Sequence, residues 1–209
     1  MGQVTGNHVP PGRPVASVFE QPLLVIDAKL REFRYSAPDG VPLARSEVLA
    51  GGSGRSPVRR YFARHRPEPG PVLIRLTDPS GAALMHVERA ADDPPGRVRF
   101  LDADREPLGR VERLPDARHP RIVDRWLVRY RIYDGRDRPL GAVLPRSSRG
   151  QLAGSADTFT VAGEDDDPVP HHEFAHCQGG LLSSWKRAPW PLNALVVAFP
   201  IALCLEVGG

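Results

Sequence analysis

The sequence predicts a mainly β fold, an antiparallel β-barrel of repeated hairpins enclosing a hydrophobic C-terminal α-helix. Three observations lead there. The 209 residues include 20 glycines and 23 prolines, a proline share about twice the usual ~5 per cent, which argues against a helical bundle or coiled coil. Four stretches repeat one pattern of alternating apolar residues on either side of an Asp, Ser or Gly turn. The chain then offers an apolar run with no polar side, which needs apolar walls all round.

Composition bounds the class. At 41% hydrophobic residues the chain is too apolar for general disorder, and its length suits a single domain that buries roughly two-thirds of its unfolded surface. The net charge is only +3, and Lys29 and Lys186 are the only lysines among 28 basic residues. Such an arginine bias reflects a GC-rich coding genome better than a nucleic-acid partner, and none is expected. Cys177 and Cys204 are the only cysteines and suggest no disulfide framework, with Cys204 reading as a small hydrophobe. The expected setting is a bacterial cytoplasm.

In chain order, residues 1–17 read as a disordered tail. Met1 to Pro14 lack an apolar core segment and contain Pro10, Pro11 and Pro14, which does not fit a signal peptide. Residues 18–209 read as one domain. The first hairpin runs from Leu30 to Leu49 around Asp39-Gly40-Val41-Pro42-Leu43. A linker over 51–70 opens on Gly51-Gly52-Ser53-Gly54 and carries a short basic helix, with Ser56 as N-cap, Pro57 at the first helical position and Pro67 beyond its end. Val58, Tyr61 and Phe62 share one face of that helix, and Arg59, Arg60 and Arg64 the other.

The second hairpin spans Val72 to Val87 across Asp78-Pro79-Ser80-Gly81. The third spans Val98 to Leu114 around Asp104-Arg105-Glu106-Pro107-Leu108, and the fourth Trp126 to Leu144 across Asp134-Gly135. Asp-Gly and Pro-x-Gly steps supply the positive φ of tight hairpins, and Val98, Phe100, Tyr130 and Ile132 keep a burial period of two beside outward arginines. Residues 164–189 read as an atypical insert or loop. Over 190–207 the expectation is a central apolar helix: from Leu192 to Leu205 only Asn193 and Pro200 are not apolar, and Pro191 can open it. Fourteen residues span about 21 Å, short of the ~30 Å hydrocarbon core, so burial in protein is preferred to membrane spanning.

The segment PLLVIDAKLREFRYSAPDGVPLARSEVLA, the basic stretch after it, the repeated D-x-x-G-x-x-L hairpins and the final PLNALVVAFPIALCLEV resemble the LURP-one-related and phospholipid-scramblase-like proteins of the tubby C-terminal-like superfamily. The resemblance covers roughly Val18 to Leu144 and the last twenty residues. It implies an antiparallel barrel of about twelve strands closed on a C-terminal hydrophobic helix. It also implies a non-enzymatic protein that binds or senses membrane phospholipid or an internal ligand. Two departures stand out, one hairpin fewer before the last strand and the insert before the helix.

The basic segment is the functional lead. Arg55, Arg59, Arg60, Arg64 and Arg66 lie beside Tyr61 and Phe62, with no acidic residue before Glu68. Near an anionic membrane each surface cation contributes about 1 kcal/mol, and aromatic side chains can enter the headgroup layer. The expected partner is anionic lipid at the inner membrane face. The same residues could simply pack an apolar helix face on one end of the barrel and solvate the arginines.

A competing class is a zinc hydrolase. His172-Glu173-Phe174-Ala175-His176 matches HExxH, in which two histidines one helical turn apart hold the metal and the glutamate serves as general base. Pro168 and Pro170 shorten the helix this needs, and Leu182 stands where a further histidine would fall. An exposed polar loop accounts for the string more simply, and no cofactor is expected. A third class is a structural or partner-binding barrel without a lipid role.

Overall fold

Alternation of apolar and polar side chains gives an extended segment one face for a core and one for water. The computed structural model describes residues 18–29, 32–51, 70–114, 129–146, 158–163, 180–183 and 189–207. A 3-10 turn at Val18–Glu20 precedes β1 (Leu23–Lys29), β2 (Glu32–Ser36), β3 (Pro42–Ala50), β4 (Val72–Thr77), β5 (Ala83–Arg89) and β6 (Arg97–Leu101). Then follow β7 (Pro107–Arg113), β8 (Tyr130–Asp134), β9 (Pro139–Arg146), β10 (Thr158–Gly163), β11 (Gly180–Ser183) and α1 (Leu192–Val207). The strands form one sheet in the order β10-β9-β8-β7-β6-β5-β4-β3-β2-β1-β11, antiparallel throughout. Ten strands keep chain order, and the eleventh adds beyond β1. Among the described residues β10 and β11 end the sheet and do not pair with each other.

Four turns share one geometry. The N–H of Ala37, Asp78, Asp102 and Asp134 each donates at 2.9 Å to the carbonyl four residues on, and the residue three on donates back at 2.8 to 3.2 Å. That third residue is left-handed every time: Gly40 (φ 83), Gly81 (φ 90), Arg105 (φ 70) and Asp137 (φ 64). Each pair also shifts register beside its turn, after Tyr35, Leu76, Phe100 and Ile132 respectively. This is a type I turn with a bulge, whose twist matches that of the flanking strands. At Asp78, Asp102 and Asp134 the carboxylate Oδ1 accepts the N–H groups two and four residues on, at 2.8 to 2.9 Å. The Ser80 hydroxyl and these backbone donors hold the Asp78 carboxyl below its ordinary range, and the Arg138 N–H leads the same effect at Asp134. Ala37 cannot provide this brace.

Inward side chains of the sheet meet α1, and Ala194 to Leu205 are all buried. The helix is in contact with β5, β6, β7, β8 and the first turn. Phe199 meets the Tyr130 ring edge-on at 5.3 Å. At Gly109 on β7 a Cβ would overlap the Tyr133 carbonyl and stand 2.8 Å from Leu195 Cδ1, so glycine lets helix and sheet approach. Pro200 lies within the continuous helix, without an N–H to donate. One turn earlier the Val197 carbonyl accepts the Tyr35 hydroxyl at 3.1 Å. At the helix C-terminus the buried Arg89 donates to the Leu205 carbonyl and, through Nη2 at 2.7 Å, to that of Gly70. A cation there complements the helix dipole as well as the last carbonyls.

The structure adds two strands to the reading of the sequence. Residues 164–189 are not wholly an insert, because Gly180–Ser183 form β11 on β1. Only four residues long, that strand carries too little alternation to stand out. A further strand, β1, precedes the first hairpin and pairs with its β2, ending at Lys29 before β2 begins at Glu32. The tail over 1–17 and the helix expected within 51–70 lie outside the described residues.

Asp78→Ala is expected to cost about 1 kcal/mol, because two backbone N–H groups lose their acceptor. Arg105→Gly is expected to gain about 1 kcal/mol by releasing a left-handed non-glycine residue. Urea unfolding of both variants checks these signs.

Burial first, and Cys204 second, raise the Tyr35 phenol above the ordinary tyrosine value. Its contribution to stability is therefore complete below pH ~10 and lost as pH rises beyond it. Tyr35→Phe should cost about 1 kcal/mol at neutral pH and flatten that alkaline loss, as read from unfolding curves between neutral and alkaline pH.

Candidate functional site

The outer face of β5 to β8 is built from the polar positions of four alternating strands. Register places Glu88 opposite Arg99, Arg99 opposite Arg110, and Arg110 opposite Tyr133, in one row across the sheet. The next row joins Arg97, Glu112 and Arg131. Like charges directly opposed across strands repel, so Arg99 and Arg110 stand together only because each has other partners.

Those partners come from turns and from the next row. Arg99 Nη2 lies 2.6 Å from Asp93 Oδ1, while Asp93 Oδ2 accepts the Ala90 N–H at 3.0 Å. Glu112 Oε1 accepts from Arg97 Nη2 at 2.6 Å and from Arg110 Nε at 2.9 Å. Arg110 Nη1 also donates to Asp137, and its guanidinium carbon stands 4.1 Å over the Tyr133 ring. Burial alone would raise the Glu112 carboxyl, but the bonds and charges of Arg110 and Arg97 outweigh it and hold the group below its ordinary range.

Between these groups lies a cleft of about 390 Å³, lined by Glu88, Arg97, Arg99, Arg110, Asp134 and Asp137 together with Phe100, Leu101, Pro107, Gly109 and Gly135. Its chemistry is recognition by charge and by planar guanidinium donors. His86, the one histidine among the described residues, is buried, and its Nδ1 donates to the Asp102 carbonyl at 3.0 Å. Among the described residues no group of three or more His, Cys, Asp or Glu could hold a metal ion.

Arg55, Arg59, Arg60, Tyr61, Phe62, Arg64 and Arg66 lie outside the described residues, as do His172, Glu173, His176 and Cys177. The cleft residues were legible only as outward arginines beside Val98 and Phe100. Their convergence depends on cross-strand register, which alternation within one strand does not reveal.

Glu112→Gln is expected to destabilise the fold by about 1–2 kcal/mol at pH 7, since it weakens bonds to two half-buried guanidinium groups. Because the folded carboxyl is held low, the wild-type advantage is present above the ordinary glutamate value and lost as pH falls through and below the range near 4. Urea unfolding at pH 7 and at pH 3 should show the two proteins converging at the lower pH. Among the described residues no helix is long and apolar enough to cross a membrane. Compared with known proteins, the chain matches no family model, no curated protein and no solved structure.

Proposed function

We propose that the chain is a scramblase-like, LURP-one-related barrel protein whose sheet of repeated hairpins closes around α1, and that it binds or senses membrane phospholipid without catalysis. The observation that supports this reading is the helix. From Ala194 to Leu205 it is apolar and buried, and it is met by side chains from β2, β5 and β8 and by the backbone of β7 at Gly109, all in one antiparallel meander. A sheet that touches one helix from so many strands must curl, and pairing between the β10 and β11 edges would complete the curl. Such an arrangement is what the resemblance to the tubby C-terminal-like superfamily implies.

With α1 occupying the interior, a phospholipid met at the surface suits the protein better than a ligand held inside. The basic segment holding Arg55, Arg59, Arg60, Arg64 and Arg66, with Tyr61 and Phe62, supplies charge and aromatic surface for an anionic membrane. The protein then acts in the cytoplasm, peripherally at the inner membrane face. Sedimentation with vesicles of phosphatidylcholine, alone or with phosphatidylglycerol, tests this. Binding should require the anionic lipid and weaken with salt. Replacing Arg59, Arg60 and Arg64 together by Ala should lower it about a hundredfold, at ~1 kcal/mol per cation. Equal binding to both vesicles, or to neither, overturns the reading.

A further inference from the structure

The cleft on the outer face of β5 to β8 holds two unmet polar groups of opposite character. Glu88 lines it, and among the described residues its half-buried carboxylate has no hydrogen bond or ion pair, even though Arg99 is its cross-strand neighbour, because Arg99 turns to Asp93. Arg97 also lines it, and its Nε is buried without a hydrogen-bond partner. The buried Arg97 Nε calls for an explanation, and a ligand is one; the half-buried Glu88 carboxylate is free to take a partner from solution.

Donor capacity is also in reserve. Arg99 reaches its carboxylates through Nη2 alone, leaving Nε and Nη1, while Arg110 uses Nε and Nη1 and leaves Nη2. These two guanidinium groups are adjacent across β6 and β7, and Tyr133 and Glu112 fix the plane of Arg110. The cleft volume, about 390 Å³, falls within the ~300–1,000 Å³ of small-molecule sites.

Charge decides the ligand class. A plain anion would meet the guanidinium groups but also the carboxylates of Glu88, Asp134 and Asp137, and a plain cation would meet three arginines. A molecule bearing both signs satisfies both sets. We infer that this cleft binds a small zwitterion, its oxyanion on Arg97, Arg99 and Arg110 and its ammonium on Glu88. The ligand is either free in solution or the headgroup of a lipid.

Isothermal titration calorimetry on the full chain provides the test, with O-phosphoethanolamine, inorganic phosphate and ethanolamine as probes. The zwitterion should bind at least about tenfold more tightly than either half, the worth of one further charge-assisted hydrogen bond. Glu88→Gln should abolish that preference while phosphate binding stays equal or strengthens, and Glu88→Lys should invert it. Circular dichroism confirms that both variants remain folded, as expected for substitutions on the outer face. Vesicles containing phosphatidylethanolamine separate the two sources. Retention that free phosphoethanolamine competes away marks a headgroup site, while binding of the free compound without retention marks a soluble ligand. Absence of binding by the zwitterion, equal affinity for phosphate, or an unchanged preference in Glu88→Gln overturns the proposal. Each of these outcomes is independent of the anionic-vesicle experiment.

Discussion

A helix without a polar face cannot rest on a surface, because any exposed side would leave several large apolar residues in water at about 1.5–3 kcal/mol each. From that constraint the rest of the molecule follows. Ala194 to Leu205 are buried whichever way they point, so the sheet has to present its inward residues along most of the circumference. Burying backbone carbonyls as well brings a polar demand. Tyr35 answers it near Pro200 and Arg89 at the C-terminal end, both reaching inward from strands otherwise lined with apolar side chains. With Asn193, which donates to the Phe19 carbonyl at the other end, these polar attachments fix how far along its axis the helix sits.

The outer face obeys a second constraint, register. Each hairpin turn inserts a bulge, and a shift of one residue would exchange inward and outward side chains along a whole strand. The turns thus determine which charges become neighbours. Arg99 and Arg110 face each other across β6 and β7 because both flanking hairpins keep their bulges, and Asp137, a left-handed turn residue, is also a partner of Arg110. Turn geometry and surface electrostatics are in this way one problem. A residue whose left-handed backbone shapes the β8–β9 hairpin also balances, through its carboxylate, a guanidinium on β7.

Much of this was legible in the sequence. Asp39-Gly40, Asp78-Pro79-Ser80-Gly81 and Asp134-Gly135 mark turns because their side chains or missing side chains favour the required backbone, and the strands on either side alternate cleanly. The apolar run from Leu192 announced a buried helix. Less visible were Arg105 and Asp137, whose left-handed backbone is held by the surrounding hydrogen bonds and not by residue type. The Tyr35 hydroxyl, distant in sequence, reaches the Val197 carbonyl inside the helix, which no pattern announced. Nor could the cleft be foreseen, for alternation tells which side chains point outward and says nothing of which ones meet. Four residues of β11 were too few to carry any pattern.

The order of the elements has a consequence for biogenesis. All eleven described strands precede α1 in the chain, so synthesis delivers the sheet before the helix it packs against. A nascent sheet must hold Phe33, Met85, Phe100 and Ile132, fully buried at the end, with nothing yet to pack against. Long-range pairing is slow, and exposed apolar strands invite association with other chains. Completion of this fold therefore waits for α1, whose synthesis follows that of every described strand. Until then the growing polypeptide resembles a client for chaperones more than a partly finished protein.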